Sequence, residues 1–332
     1  MSYKYFLIAL KPDKSETQFT TTKPICCMKY IFLVLSLVTC IASGQDIKVK
    51  GIKQLLPEQK GDYTISGVMP DGRELLITGP NASGLSVIDI KSGKTRIVTK
   101  SAGAGYQPVI SSDGQNICYR SDDYSGFRKM TYIIKADVFT GDTLILQPRS
   151  REITTPGSTG NTIMFKSGGK MIIRDIKDST LKSAVNQVCV MADGLTPVLY
   201  YAGKSKEYKP GGDGSYIWIS LSPDKTKMVY CLVGKGTFIS DLEGNIIASA
   251  GKINAPKWLN NNIIIGMDDS DNGYNITSSE IIAYSLSSGK TSRLTNTSSR
   301  IEVYPFPLPD GKRISFTTTD GRIFIMKIKV KQ

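Results

Sequence analysis

The sequence predicts an all-β fold, a six-bladed β-propeller of four-stranded antiparallel blades, and three observations carry that expectation. A Pro-Asp-Gly-type turn followed by an apolar strand recurs along the chain. A second turn signature follows it downstream in most copies, and no stretch shows sustained helical periodicity. Two hairpins make four strands, and four-stranded units repeating every ~40–50 residues are the pattern of propeller blades.

The first turn runs Met69-Pro70-Asp71-Gly72-Arg73-Glu74 and returns at Ser111-Ser112-Asp113-Gly114, Ser222-Pro223-Asp224-Lys225 and Leu308-Pro309-Asp310-Gly311. A degenerate copy occupies residues 256–261. Pro presets φ for the turn, Asp bonds back to the chain, and Gly accepts positive φ. The second hairpin turns at Ser92-Gly93-Lys94-Thr95 and Ser288-Gly289-Lys290-Thr291, and more weakly at Thr140-Gly141 and Glu243-Gly244. Its two Gly-Lys-Thr triplets are turns rather than phosphate loops. The glycine a phosphate loop needs five residues earlier is Ile88 in one copy and Tyr284 in the other.

These signals place blades at residues 60–100, 103–148, 151–210, 213–251 and 252–296, with a last unit from residue 300. The third is the least regular. The last unit offers three strands, and residues 47–56 supply the fourth, which closes the ring and removes free sheet edges.

The N-terminal part reads differently. Lys29, an apolar run over residues 30–40 and Ala42-Ser43-Gly44 form a secretory signal peptide over residues 28–44, cut before Gln45. Residues 1–27 read as an upstream extension from a mis-assigned start. The apolar run is short against the ~20 residues a membrane span needs. A lipoprotein reading at Cys40 is weaker, because Thr39 stands where a smaller residue is usual. The expected location is the periplasm or the exterior.

Of 332 residues, 42 are Lys or Arg, 29 are Asp or Glu, and none is His. That excludes a Ser-His-Asp triad, a Cys-His dyad and imidazole-ligated zinc. Net charge is +13 overall and +10 from Gln45 onward. Such a surface suits anionic partners, and export argues against nucleic acid. Cys118, Cys189 and Cys231 sit in apolar runs and read as small buried strand residues, not as a disulfide framework.

The repeats at residues 108–117 (Pro-Val-Ile-Ser-Ser-Asp-Gly-Gln-Asn-Ile) and 305–316 (Pro-Phe-Pro-Leu-Pro-Asp-Gly-Lys-Arg-Ile-Ser-Phe) resemble those of TolB-type six-bladed propellers. The resemblance covers residues 45–332 as a single propeller domain, without the α/β domain that precedes the propeller in TolB. It implies a role in envelope protein interactions by analogy only.

Two loops between second and third strands are long, acidic and aromatic. One carries Asp122, Asp123 and Tyr124, and the other Asp268, Asp269, Asp271 and Tyr274. As binding residues they would contact a cation, amine or basic peptide; surface loops are also rich in these types without function. Asp268, Ser270 and Asn272 loosely match a calcium loop, although Glu280 falls one residue late for an EF-hand. No other cofactor is expected. Trp218, Trp258, Tyr106 and Tyr304 lie near the first strands, where rings pack between blades or line the channel.

The expected function is an exported, non-catalytic binding or scaffolding propeller of the bacterial cell envelope. It would be monomeric, with no membrane span, and contact an envelope protein or glycan through loops on one face. The alternative is a metal-assisted carboxylate enzyme of lyase or lactonase type at the central channel. A third reading is a sensor with a pocket at the channel mouth.

Overall fold

The computed structural model describes residues 47–56, 62–124, 126–182 and 187–331. The leader reading over residues 1–44 lies outside them. Seven antiparallel sheets form among the described residues, so the expected six blades are corrected to seven. Blade 1 holds Thr64–Val68, Glu74–Thr78, Leu85–Asp89 and Thr95–Thr99. Blade 2 holds Val109–Ile110, Asn116–Asp123, Met130–Asp137 and Thr143–Ser150. Blades 3 and 4 have three strands each: Gly157–Thr159, Thr162–Ser167 and Lys170–Asp175, then Cys189–Asp193, Thr196–Tyr201 and Lys204–Glu207. Blade 5 spans Tyr216–Leu221 to Ile246–Gly251, and blade 6 spans Asn254–Trp258 to Lys290–Arg293, each with four strands.

The unit expected over residues 151–210 is two blades. Its turns explain why. Gly160, Gly168-Gly169, Gly194 and Gly203 all sit at positive φ, the last beside Ala202 at φ 49°, and no Pro-Asp-Gly marks these reversals.

Blade 7 contains Glu302–Pro307, Arg313–Thr318 and Ile323–Val330, and takes its outer strand from Ile47–Gln54. The pairing runs from Ile47 opposite Val330 to Gln54 opposite Phe324. Ring closure by the N-terminal strand is therefore as the sequence indicated.

The core lies between blades rather than in one centre. An apolar cluster fills each of seven junctions among the described residues. The closing junction joins Ile65, Leu75, Ile77 and Ile88 of blade 1 to Ile323 and Ile325 of blade 7. Alternate strand residues face the two neighbouring blades, which is why the second strands read as continuous apolar runs such as Met228 to Leu232. Cys118, Cys189 and Cys231 are free and buried within these layers. Burial pushes the Cys118 and Cys189 thiols up to about 12, so they are unreactive.

The repeated turn Asp does the same work in several blades. Asp113 accepts the Ser111 hydroxyl at 2.6 Å and the Gln115 N–H at 3.2 Å. Asp224 accepts the Ser222 hydroxyl and the Thr226 N–H, and Asp310 accepts the N–H groups of Lys312 and Arg313. Turns also link blade to blade: Arg313 donates to the Gly72 carbonyl at 2.9 Å, and the Asp224 N–H to Asn261 Oδ1 at 3.0 Å.

Candidate functional site at the central channel

The innermost strands surround a cavity of about 930 Å³. These strands are not regular. One-residue bulges interrupt the first strand of blades 1, 5, 6 and 7, at Ile65/Gly67, Ile217/Ser220, Asn254/Lys257 and Val303/Phe306. Within the bulges of blades 5, 6 and 7, Trp218, Ala255 and Tyr304 take φ of 53°, 47° and 54°, and Gln107, just before the first strand of blade 2, takes 50°. None is glycine, so the backbone there stores strain of about 1 kcal/mol per residue. Bulges re-aim side chains and free backbone groups from the ladder, and all four residues line the cavity.

Rings dominate the lining. Tyr106, Trp218, Trp258, Tyr304 and Phe306 all reach the cavity. Trp258 also packs on the blade 5–6 cluster, and Trp218 and Tyr304 pack beside Ala255, Met267 and Val303. Packing and channel lining are thus two sides of the same rings. Sequence reasoning placed Tyr106, Trp218, Trp258 and Tyr304 between blades or at the channel and did not single out Phe306; the bulges along these strands have no motif.

Lys257 is the charged side chain among the described lining residues, which include no Asp or Glu. It follows the bulge of blade 6. Its ammonium lies 4.9 Å from the centroid of the Phe306 ring. Burial among neighbouring blades pushes its pKa below the ordinary lysine value, and no nearby charge offsets this. The side chain is reachable from the channel yet surrounded by protein on its other sides. Nothing in the sequence alone distinguished it from the other lysines.

The acidic segments lie elsewhere. They are strand ends, not free loops: Asp122 and Asp123 end the second strand of blade 2, and Asp268, Asp269 and Asp271 end that of blade 6. Asp122 is buried and pairs with Lys129 at 2.6 Å and Arg120 at 3.7 Å, while accepting the Thr131 hydroxyl at 2.7 Å. Asp123 pairs with Arg149 and Asp268 with Arg293. Asp269 is buried and accepts the Asn254 amide at 2.8 Å. Asp271 accepts the Gly273 N–H, and Asn272 Oδ1 accepts those of Tyr274 and Asn275. The carbonyl of Ser270 accepts the Thr277 hydroxyl. Tyr124 and Tyr274 are exposed. The two hairpins stay in separate blades, and among the described residues no three His, Cys, Asp or Glu side chains gather as metal ligands. No described helix is long and apolar enough to cross a membrane.

No family model matches the sequence, and no curated protein does. Solved structures do. An oligogalacturonate lyase from Vibrio parahaemolyticus aligns at 12% identity with a TM-score of 0.55, covering 85% of this chain and 98% of that one. A structure of oligogalacturonate lyase in complex with manganese aligns at 17% identity and TM-score 0.44, covering 82% of this chain and 78% of that one. The likeness establishes the β-propeller fold. The TolB resemblance holds at that level only, since the ring has seven blades and no TolB family match accompanies it.

The expected non-catalytic scaffold is corrected by these findings. The fold is shared with a lyase. Among the described residues, no carboxylate of the metal-assisted alternative lines the channel.

Proposed function

We propose that the chain is a lyase-type enzyme that binds an acidic oligosaccharide in the central channel and cleaves it by β-elimination. The observation that carries this reading is Lys257, a desolvated lysine without a carboxylate partner, set among rings in a channel free of described acids. The matched propeller's name, oligogalacturonate lyase, supports the substrate class. Trp218, Trp258 and Tyr304 would stack on sugar faces, since ring faces complement the apolar face of a pyranose.

In this mechanism the neutral amine of Lys257 takes the proton from the carbon next to the substrate carboxylate. The C–O bond β to that carboxylate then breaks, a C=C bond forms, and the departing oxygen takes a proton from water. A lowered pKa raises the neutral fraction that can act as base. Backbone N–H groups freed at the inner-strand bulges would donate to the carboxylate as charge develops on it. Export, with the leader removed before Gln45, and a monomeric state belong to the same proposal.

The test is to incubate the purified chain with oligogalacturonate and follow the ultraviolet absorbance of the new C=C bond. Product formation that is lost in Lys257→Met supports the reading. Binding without product would reduce it to a saccharide-binding propeller. Neither binding nor product sinks it.

A further inference from the structure

We propose that a calcium ion binds between blades 6 and 7 on the free carboxylate oxygens of Glu280 and Glu302. Glu280 lies on the third strand of blade 6, and Glu302 opens the first strand of blade 7. Thr297, in the connection between the blades, touches both. Its N–H donates to Glu280 Oε1 at 2.9 Å, and its hydroxyl donates to Glu302 Oε1 at 2.6 Å. One threonine thus holds two carboxylates beside each other.

The other oxygen of each carboxylate, Oε2, is buried and has no partner. Glu302 is 0% exposed. Arg300 donates its Nε–H to Glu302 Oε1 at 2.8 Å, which leaves Oε2 unmatched. Among the described residues Glu280 forms no ion pair. Asp268 stands opposite Glu280 across the strand pair and is engaged with Arg293. Arg300 thus answers Glu302 through Oε1 alone, and no guanidinium or ammonium answers Glu280 among the described residues.

A buried charge with an unfilled lone pair is costly unless a cation or proton satisfies it. The donors are all hard oxygens, which favours calcium over softer metals. Backbone carbonyls and water would complete its shell. The ion would tie blade 6 to blade 7 at the last junction before the ring closes. This site is separate from the Asp268, Ser270 and Asn272 loop and does not depend on the channel chemistry.

The full chain would be stripped with a chelator, then titrated with calcium chloride by calorimetry and by thermal melting. The expected result is one saturable site and a melting temperature raised by several degrees. Glu280→Gln and Glu302→Gln lose both responses, while Asn272→Ala keeps them. Absence of calcium heat and of any melting shift in the wild-type chain overturns the proposal. So does binding that survives Glu280→Gln. Should Glu302→Gln fail to fold, Glu280→Gln carries the test alone, because Glu280 has no ion pair to lose.

Discussion

Trp258 donates its indole N–H to the carbonyl of Ser220 at 3.2 Å, joining the inner strands of blades 5 and 6 at the edge of the channel. The same ring lines the cavity. Trp258→Phe removes the hydrogen bond and keeps most of the ring, so it costs about 1 kcal/mol of stability. It leaves stacking largely intact. Among the described residues Trp218 makes no such bond, and Trp218→Ala is expected to weaken saccharide binding more than Trp258→Phe does. Calorimetric titration beside denaturant unfolding separates the two effects.

Lys257 gives a pH signature in two independent measurements. As a base it must be neutral, so kcat/KM rises with pH through its depressed pKa, below the ordinary value of about 10.4. As a buried amine it also affects folding. Between its lowered folded pKa and the unfolded value, the unfolded chain binds the extra proton, so stability rises with pH across that window. Below the window the wild type carries the full cost of a buried charge. Lys257→Met is therefore inactive yet more stable near neutral pH, and its advantage shrinks as pH rises. A melting series on both proteins tests this; an advantage independent of pH would contradict it.

Acid stability depends on the repeated turn aspartates. The Lys177 ammonium and the Ser111 hydroxyl hold Asp113 well below the usual carboxylate range. At Asp224, burial pulls upward, but hydrogen bonds from Ser222 and Thr226 outweigh it and the pKa falls. Asp310 likewise ends lowered, with burial opposed by the Lys312 N–H and by Arg313. Stability from these groups is present above the unfolded Asp value of about 3.9 and is lost as pH falls through the folded values. Asp113→Asn with Asp224→Asn is expected to melt lower at neutral pH and to lose less on acidification. Equal acid slopes in mutant and wild type would refute the assignment.

The same aspartates show what could be read in advance. A side chain that accepts the N–H two residues on leaves a local signature, so the turns at Asp113, Asp224 and Asp310 were legible, as was closure through Ile47–Gln54. The turns at Gly160 and Gly194 lack the proline of that repeat, so residues 151–210 read as one irregular blade where the fold has two. The channel was harder still. Trp218 and Tyr304 were visible as aromatics near inner strands, but their inward aim comes from bulges set by pairing between strands. Lys257 becomes distinctive only through what the ring places around it. The acidic runs were visible in the sequence, but their ion pairs were not: Asp122 meets Lys129 and Arg120 within its own blade.

Gly157 offers a direct test of the boundary between blades 3 and 4. It opens the inner strand of blade 3, and a Cβ there would run into the backbone carbonyl of Val190 in blade 4 and approach the Cys189 sulfur at 2.8 Å. The bridge between Thr155 and Ala192 tethers the same two blades just beside it. Backbone cannot swing aside as a flexible side chain can, so Gly157→Ala must push the blades apart. Overpacking of this kind costs about 1–3 kcal/mol, and the loss falls on the cluster of Met164, Ile173, Cys189 and Met191. Gly168→Ala is the useful contrast: it sits at positive φ in a hairpin turn with open space where the Cβ would go. Its cost is conformational strain of about 1 kcal/mol and leaves the junction packed. Thiol labelling of Cys189 during native-state fluctuations tells them apart. Gly157→Ala is expected to speed labelling and Gly168→Ala to leave it unchanged, whereas equal labelling would mean that the two sheets do not pack as separate blades.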